Sequence, residues 1–112
     1  MQQLTLPDGH PWEPPLPTDS LALAVLEILQ DGRVHDRHVL ADQVDATVRQ
    51  VRAAISELRR QGWPICFGGQ GGYLLSWDAE DLEQLLRKYR SQALAELRVI
   101  NRLKRAMQRR AA

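Results

Sequence analysis

Residues Thr47 to Gly62, TVRQVRAAISELRRQG, decide how the rest of the chain is read. Val48, Val51, Ile55 and Leu58 recur at steps of three and four, the stripe of an amphipathic helix. Thr47 is placed to cap the first turn through its hydroxyl. Gln50, three residues on, is placed to reach back to the Thr47 amide, which makes a capping box. Gly62 stands where a helix ends on a left-handed residue. Opposite the apolar stripe lie Arg49, Arg52, Ala53, Ser56 and Arg60, with Gln50 beside them. Long cationic and amide side chains next to small ones suit a helix lying in the major groove of double-stranded DNA. A solvated helix face has the same pattern, so the flanking sequence has to weigh between the two.

Upstream, Thr18 or Asp19 is placed to cap a helix over 21–30 whose buried face is Leu21, Ala24, Val25, Ile28 and Leu29, ended by Asp31-Gly32. Arg33-Val34-His35 reads as a short strand. Asp36 then caps a second helix with Val39, Leu40 and Val44 facing inward, and Asp45-Ala46 links it tightly to the Thr47 helix. Two short helices so joined, the second with a polar outer face, describe a helix-turn-helix. After Gly62 the period changes. Pro64 bars helix, Ile65-Cys66-Phe67 and Tyr73-Leu74-Leu75 are β-prone, and Gly68-Gly69-Gln70-Gly71-Gly72 lies between them. The expected fold is mainly α with a small β-hairpin: a winged helix-turn-helix. The glycine-rich tip returns into a strand and lacks both a Lys and the GxGxxG spacing, so it is not read as a phosphate cradle and no cofactor is expected.

From His35 to Leu75 the sequence resembles, without a gap, the amino-terminal DNA-binding domain of biotin protein ligase repressors. The shared pattern is the His35 start, Leu40, Val44, Thr47 as cap, Val51, Ile55, Leu58-Arg59, Gly62, Ile65 and the closing Gly72-Tyr73 with Leu75. The resemblance implies a winged helix whose Thr47-type helix enters the major groove. Nothing in the chain resembles the ligase catalytic domain, so no biotin chemistry is implied. Gln70 stands at the wing tip, where such wings often carry a basic residue.

The last segment reads as one long helix. Asp78 caps it, Glu80, Asp81 and Glu83 suit the positive end of its dipole, and no Gly or Pro follows before Arg110. Leu82, Leu86, Tyr89, Ala93, Leu97, Ile100, Leu103 and Met107 form one apolar seam. At 1.5 Å per residue the helix is about 45 Å long, against about 20–25 Å for a domain of this size. Its first half is expected to pack on its own domain, with Leu97 to Met107 overhanging. Leaving the large side chains in water forgoes about 1.5–3 kcal/mol each. A second copy is therefore expected along Leu86, Tyr89, Ala93, Leu97, Ile100, Leu103 and Met107, as a coiled coil or helix pair. Parallel and antiparallel pairing both remain open, although parallel pairing brings the basic ends together. Arg98, Arg102, Lys104, Arg105, Arg109 and Arg110 crowd that end with no acid after Glu96, which complements the helix dipole or meets a phosphate or acidic protein.

The 112 residues allow one domain with appendages. The expected parts are a Pro-rich arm over 1–17, the winged helix over 18–77 and a basic dimerisation helix over 78–112. The arm holds five of the six prolines and is either disordered or docked through Leu4, Leu6, Trp12 and Leu16. Net charge is only +1, but its distribution is uneven. Residues 1–31 hold five acids and no Lys or Arg, whereas residues 78–112 hold nine bases and five acids. The single cysteine, Cys66, excludes an internal disulfide framework. No apolar run approaches a membrane span and the N-terminus lacks a signal-peptide pattern, so a cytoplasmic protein without membrane contact is expected. His35 and His38 have no further Cys to complete a zinc site, and no serine has a His at motif spacing. No metal and no catalytic residue are expected. Trp63 and Trp77 flank the hairpin as lids over the core.

These readings converge on a dimeric DNA-binding regulator without enzymatic activity. Arg49, Gln50, Arg52 and Ser56 would read bases, Thr47, Ala53 and Arg60 would line the same face, and Arg37 and Gln70 would approach the backbone. The alternative is a phage- or plasmid-type adaptor, including a small-terminase-like DNA-recognition subunit, in which the basic helix is the working surface.

Overall fold

Each helix of the winged region starts on a side chain that satisfies its free amides. Asp19 accepts from the Ala22 amide at 2.9 Å. Asp36 accepts from those of His38 and Val39 at 2.8 and 3.2 Å. The Thr47 hydroxyl accepts from the Gln50 amide at 3.1 Å, while the Gln50 side chain accepts from the Thr47 amide at 2.8 Å. The capping box is therefore formed in both directions. The computed structural model describes residues 13–111, and the expected docking residues Leu4, Leu6 and Trp12 lie outside them. In order the elements are α1 (Ser20–Leu29), β1 (His35–Asp36), α2 (Arg37–Gln43), α3 (Val48–Arg60), β2 (Ile65–Phe67), β3 (Gly72–Leu75) and α4 (Ala79–Ala111).

Helix ends are as local as the starts. Gly62, at φ 102°, ends α3: its amide donates to Arg59 O and the Trp63 amide to Leu58 O, both at 3.0 Å. This is the paired bonding of a Schellman motif. Asp45, at φ 53°, plays the glycine's part after α2, and the Ala46 amide donates to Ala41 O at 2.9 Å. That bond makes the link to α3 tight.

The core is built on Val25, Leu26, Leu29, Leu40, Val51, Ile55, Leu58, Trp63 and Ile65, all essentially without solvent contact. Two expectations need correcting. The buried face of α1 is Ala22, Val25, Leu26 and Leu29, while Leu21, Ala24 and Ile28 are only partly covered. Helix α1 is apolar nearly all round, so its stripe had two readings, and packing on α3 chose between them. In α2, Leu40 and Ala41 point inward and Val39 is 49% exposed. A seven-residue helix held against α3 has room for only one inward turn.

The strands form a three-stranded antiparallel sheet in the order β1-β3-β2. His35 pairs with Tyr73, Ile65 with Leu75, and Phe67 with Tyr73. The first strand lies at His35–Asp36, beyond most of the Arg33-Val34-His35 stretch expected for it, because pairing with Tyr73 and Gly72 defines it. This element order and sheet make a winged-helix-like topology. The buried Trp63 indole N–H donates to Pro15 O at 3.1 Å, and Pro17 is buried. Trp77 meets Trp63 edge-on at 6.4 Å but is 40% exposed, so of the two only Trp63 is a core lid.

Helix α4, from Ala79, forms a compact unit of its own. Its 33 residues make it about 50 Å long. Every residue from Leu86 to Ala111 is exposed. Among the described residues no helix is long and apolar enough to cross a membrane.

Candidate nucleic-acid interface

The burial of Val51, Ala54, Ile55 and Leu58 fixes what α3 shows outward. At 100° per residue, Arg49, Ala53, Ser56 and Arg60 fall within a sector of about 60°, with Arg52 on one flank and Gln50 on the other. Arg49, Arg52, Ala53 and Arg60 are exposed and Ser56 is half-buried. The side chains in this face are not equally available. Arg49 and Arg52 make no hydrogen bond or ion pair with the described residues. Arg60, by contrast, donates to Glu57 Oε1 through Nη2 at 2.7 Å and Nε at 3.2 Å, which balances its charge. The Gln50 carbonyl oxygen is held by the capping box, leaving its amide NH2 group to face outward contacts.

Arg37 belongs to a second cluster, at the wing. Its backbone amide donates to Gly71 O at 3.3 Å. Its guanidinium lies so close over Gly71 that a Cβ there would be 2.6 Å from Nη1. Arg37 and the exposed Gln70, at φ 49°, thus share the wing tip. The tip has no charge of its own and receives one from α2. Val34 explains two of the tip's glycines: a Cβ on Gly68 or Gly72 would lie 2.5 or 2.7 Å from Val34 Cγ1. These two glycines of the expected glycine-rich tip make room for the residue before β1.

A further residue was missed. Arg59 binds α3 to the hairpin: its Nε donates to Ile65 O at 2.7 Å and its guanidinium stacks 4.5 Å over Phe67 and 5.9 Å from Tyr73. The available signal was Phe67 and Tyr73 themselves, two aromatics on paired strands that leave a ring face for a cation. His35 bonds through Nε2 to the Asp31 carboxylate at 2.9 and 3.0 Å. Asp31 also accepts from the Arg33 amide at 2.8 Å. The Arg33 amide first, and His35 second, hold the Asp31 carboxyl below its ordinary value.

The residues expected to join two copies, Leu86, Tyr89, Ala93, Leu97, Ile100, Leu103 and Met107, all lie on α4 and are exposed. A scan against protein-family models gives no match, and neither does a search of curated proteins.

Proposed function

We propose that this chain is a sequence-specific DNA-binding protein, a small dimeric transcriptional regulator that inserts α3 into the major groove. The observation that carries the reading is the outward face of α3, where Arg49 and Arg52, whose guanidinium groups have no partner among the described residues, flank the small Ala53 and Ser56. Small residues let the helix axis approach base edges, and a free guanidinium offers the fork that matches guanine O6 and N7. Arg37 at the wing tip supports the reading by offering a cation to the backbone. The likeness of residues 35–75 to the biotin protein ligase repressor domain points the same way.

The test is duplex binding across a salt series for wild type, Arg49→Ala and Arg52→Ala. Both side chains are exposed and make no hydrogen bond or ion pair among the described residues, so folding is expected to be unchanged. Arg52→Ala is expected to cost about 1–3 kcal/mol of specific binding, roughly 5- to 150-fold. If both variants bind every duplex as wild type does, α3 is not in the groove.

The exposure of α4, with its run of bases, favours a second reading as an adaptor module of phage or plasmid type, including small-terminase-like recognition. If the chain is a protein adaptor, binding to random duplex shows no steep fall of log K with log salt; a terminase-like DNA-recognition subunit keeps the steep fall.

A further inference from the structure

The seam of α4 is close to its own mirror. From a centre between Leu94 and Ala95, it runs toward the N-terminus through Ala93, Tyr89, Leu86 and Leu82. Toward the C-terminus it runs through Leu97, Ile100, Leu103 and Met107. The steps are four, three and four on one side and three, three and four on the other. Laid antiparallel on a second copy about that centre, Leu82 comes level with Met107, Leu86 with Leu103 and Tyr89 with Ile100, and small Ala93 comes within one residue of Leu97. From Leu86 onward these side chains are exposed in the single chain, so the face is open to receive the second copy.

Charge agrees with the same register. In an antiparallel pair, like edges of the two helices meet. On one edge Glu83 lies about two residues of rise, ~3 Å along the axis, from Lys104 of the second copy. On the other edge Asp81 lies equally close to Arg110. Parallel pairing instead sets Asp81 against Glu83 and gathers Arg102, Arg105, Arg109 and Arg110 of both copies at one end. Like charges so placed oppose association.

We propose that α4 pairs with α4 of a second copy in antiparallel fashion, with the twofold axis between Leu94 and Ala95. The inference deepens the dimer of the proposed function and rests on it. It places the two Ala79 starts of α4 about 46 Å apart along the pair, rather than side by side.

The test uses full-length chains carrying Cys66→Ala with one added cysteine, Gln84→Cys, Ala95→Cys or Arg105→Cys, each spin-labelled. Antiparallel pairing separates two labels at 84, or two at 105, by about 31 Å along the axis, and leaves two at 95 level. Mixing the 84-labelled and 105-labelled chains brings those labels level as well. Equal separations for the 84, 95 and 105 pairs would mean parallel pairing and overturn the proposal. A wild-type chain that sediments as a monomer at tens of micromolar would overturn it too. Ile100→Asp with Leu103→Asp is expected to give a monomer with unchanged helical circular dichroism in the winged region. DNA binding is scored separately. Parallel pairing with Arg52-sensitive DNA binding sinks only the pairing, and antiparallel pairing without DNA binding sinks only the groove reading.

Discussion

Replacing Arg59 with Met tests how α3 is held to the wing. Methionine keeps most of the stem but removes the Nε donor that Ile65 O accepts at 2.7 Å and the guanidinium 4.5 Å over Phe67. Ile65 is fully buried, so its carbonyl has little access to water once the donor is gone. A hydrogen bond from a charged donor contributes about 1.5–3 kcal/mol. The stack on a half-exposed ring adds about 0.5–1 kcal/mol. Methionine sulfur against the ring recovers about 0.3–1.5 kcal/mol. The expected loss is therefore about 2 kcal/mol, or roughly 10 °C in Tm for a unit of this size. Urea unfolding followed by tryptophan fluorescence reads it, because Trp63 is buried in the folded unit. Protein concentration is held fixed, since association through α4 would shift the apparent midpoint. Arg60→Met is the control: its pair with Glu57 is exposed, and the change is expected to stay within about 0.5 kcal/mol. If Arg59→Met unfolds within 0.5 kcal/mol of wild type, the hairpin does not depend on this side chain and the argument is refuted.

Other outcomes follow from the wing and from the turn after α1. Gln70→Lys adds a charge beside Arg37 and is expected to strengthen non-specific duplex binding and steepen its salt dependence by about one ion; an unchanged slope would place the wing away from the backbone. Gly72→Ala drives a methyl to 2.7 Å from Val34 Cγ1 and is expected to destabilise by about 1–3 kcal/mol. Val34→Ala in the same chain should return much of that loss, whereas strictly additive effects would show that the two do not touch. Asp31 contributes to acid stability. Its folded carboxyl is held below 3.8, so between the folded and unfolded values the unfolded chain binds more protons. That contribution is complete above about pH 4 and is lost as pH falls through the lowered folded value. Asp31→Asn should flatten the acid limb of an unfolding-versus-pH curve, and an identical limb would remove Asp31 from the account.

What the sequence determined by itself was whatever depends on neighbours in the chain. The capping box of Thr47 and Gln50, the end of α3 at Gly62 and the core stripe through Val51, Ile55 and Leu58 involve residues at most five apart. Their hydrogen bonds and period are written in the spacing. The hairpin was legible for the same reason, since Pro64 and the glycine run leave the chain little else to do. The long α4 could be read because 33 residues without a breaker have one regular solution. Tertiary structure decided everything that had two local answers. The chain around α1 is apolar on most sides, and only contact with α3 selected Ala22 and Leu26 over Leu21 and Ala24. A two-residue strand has no period, so β1 exists where Tyr73 and Gly72 receive it. Within the candidate interface, spacing placed Arg49, Arg52 and Arg60 on one face, but long side chains choose partners in three dimensions. Glu57 takes Arg60, the aromatic pair on β2 and β3 takes Arg59, and Gly71 gives Arg37 its place at the wing. A guanidinium is positioned by whichever acceptor or ring folding brings within reach, and that depends on contacts far apart in sequence.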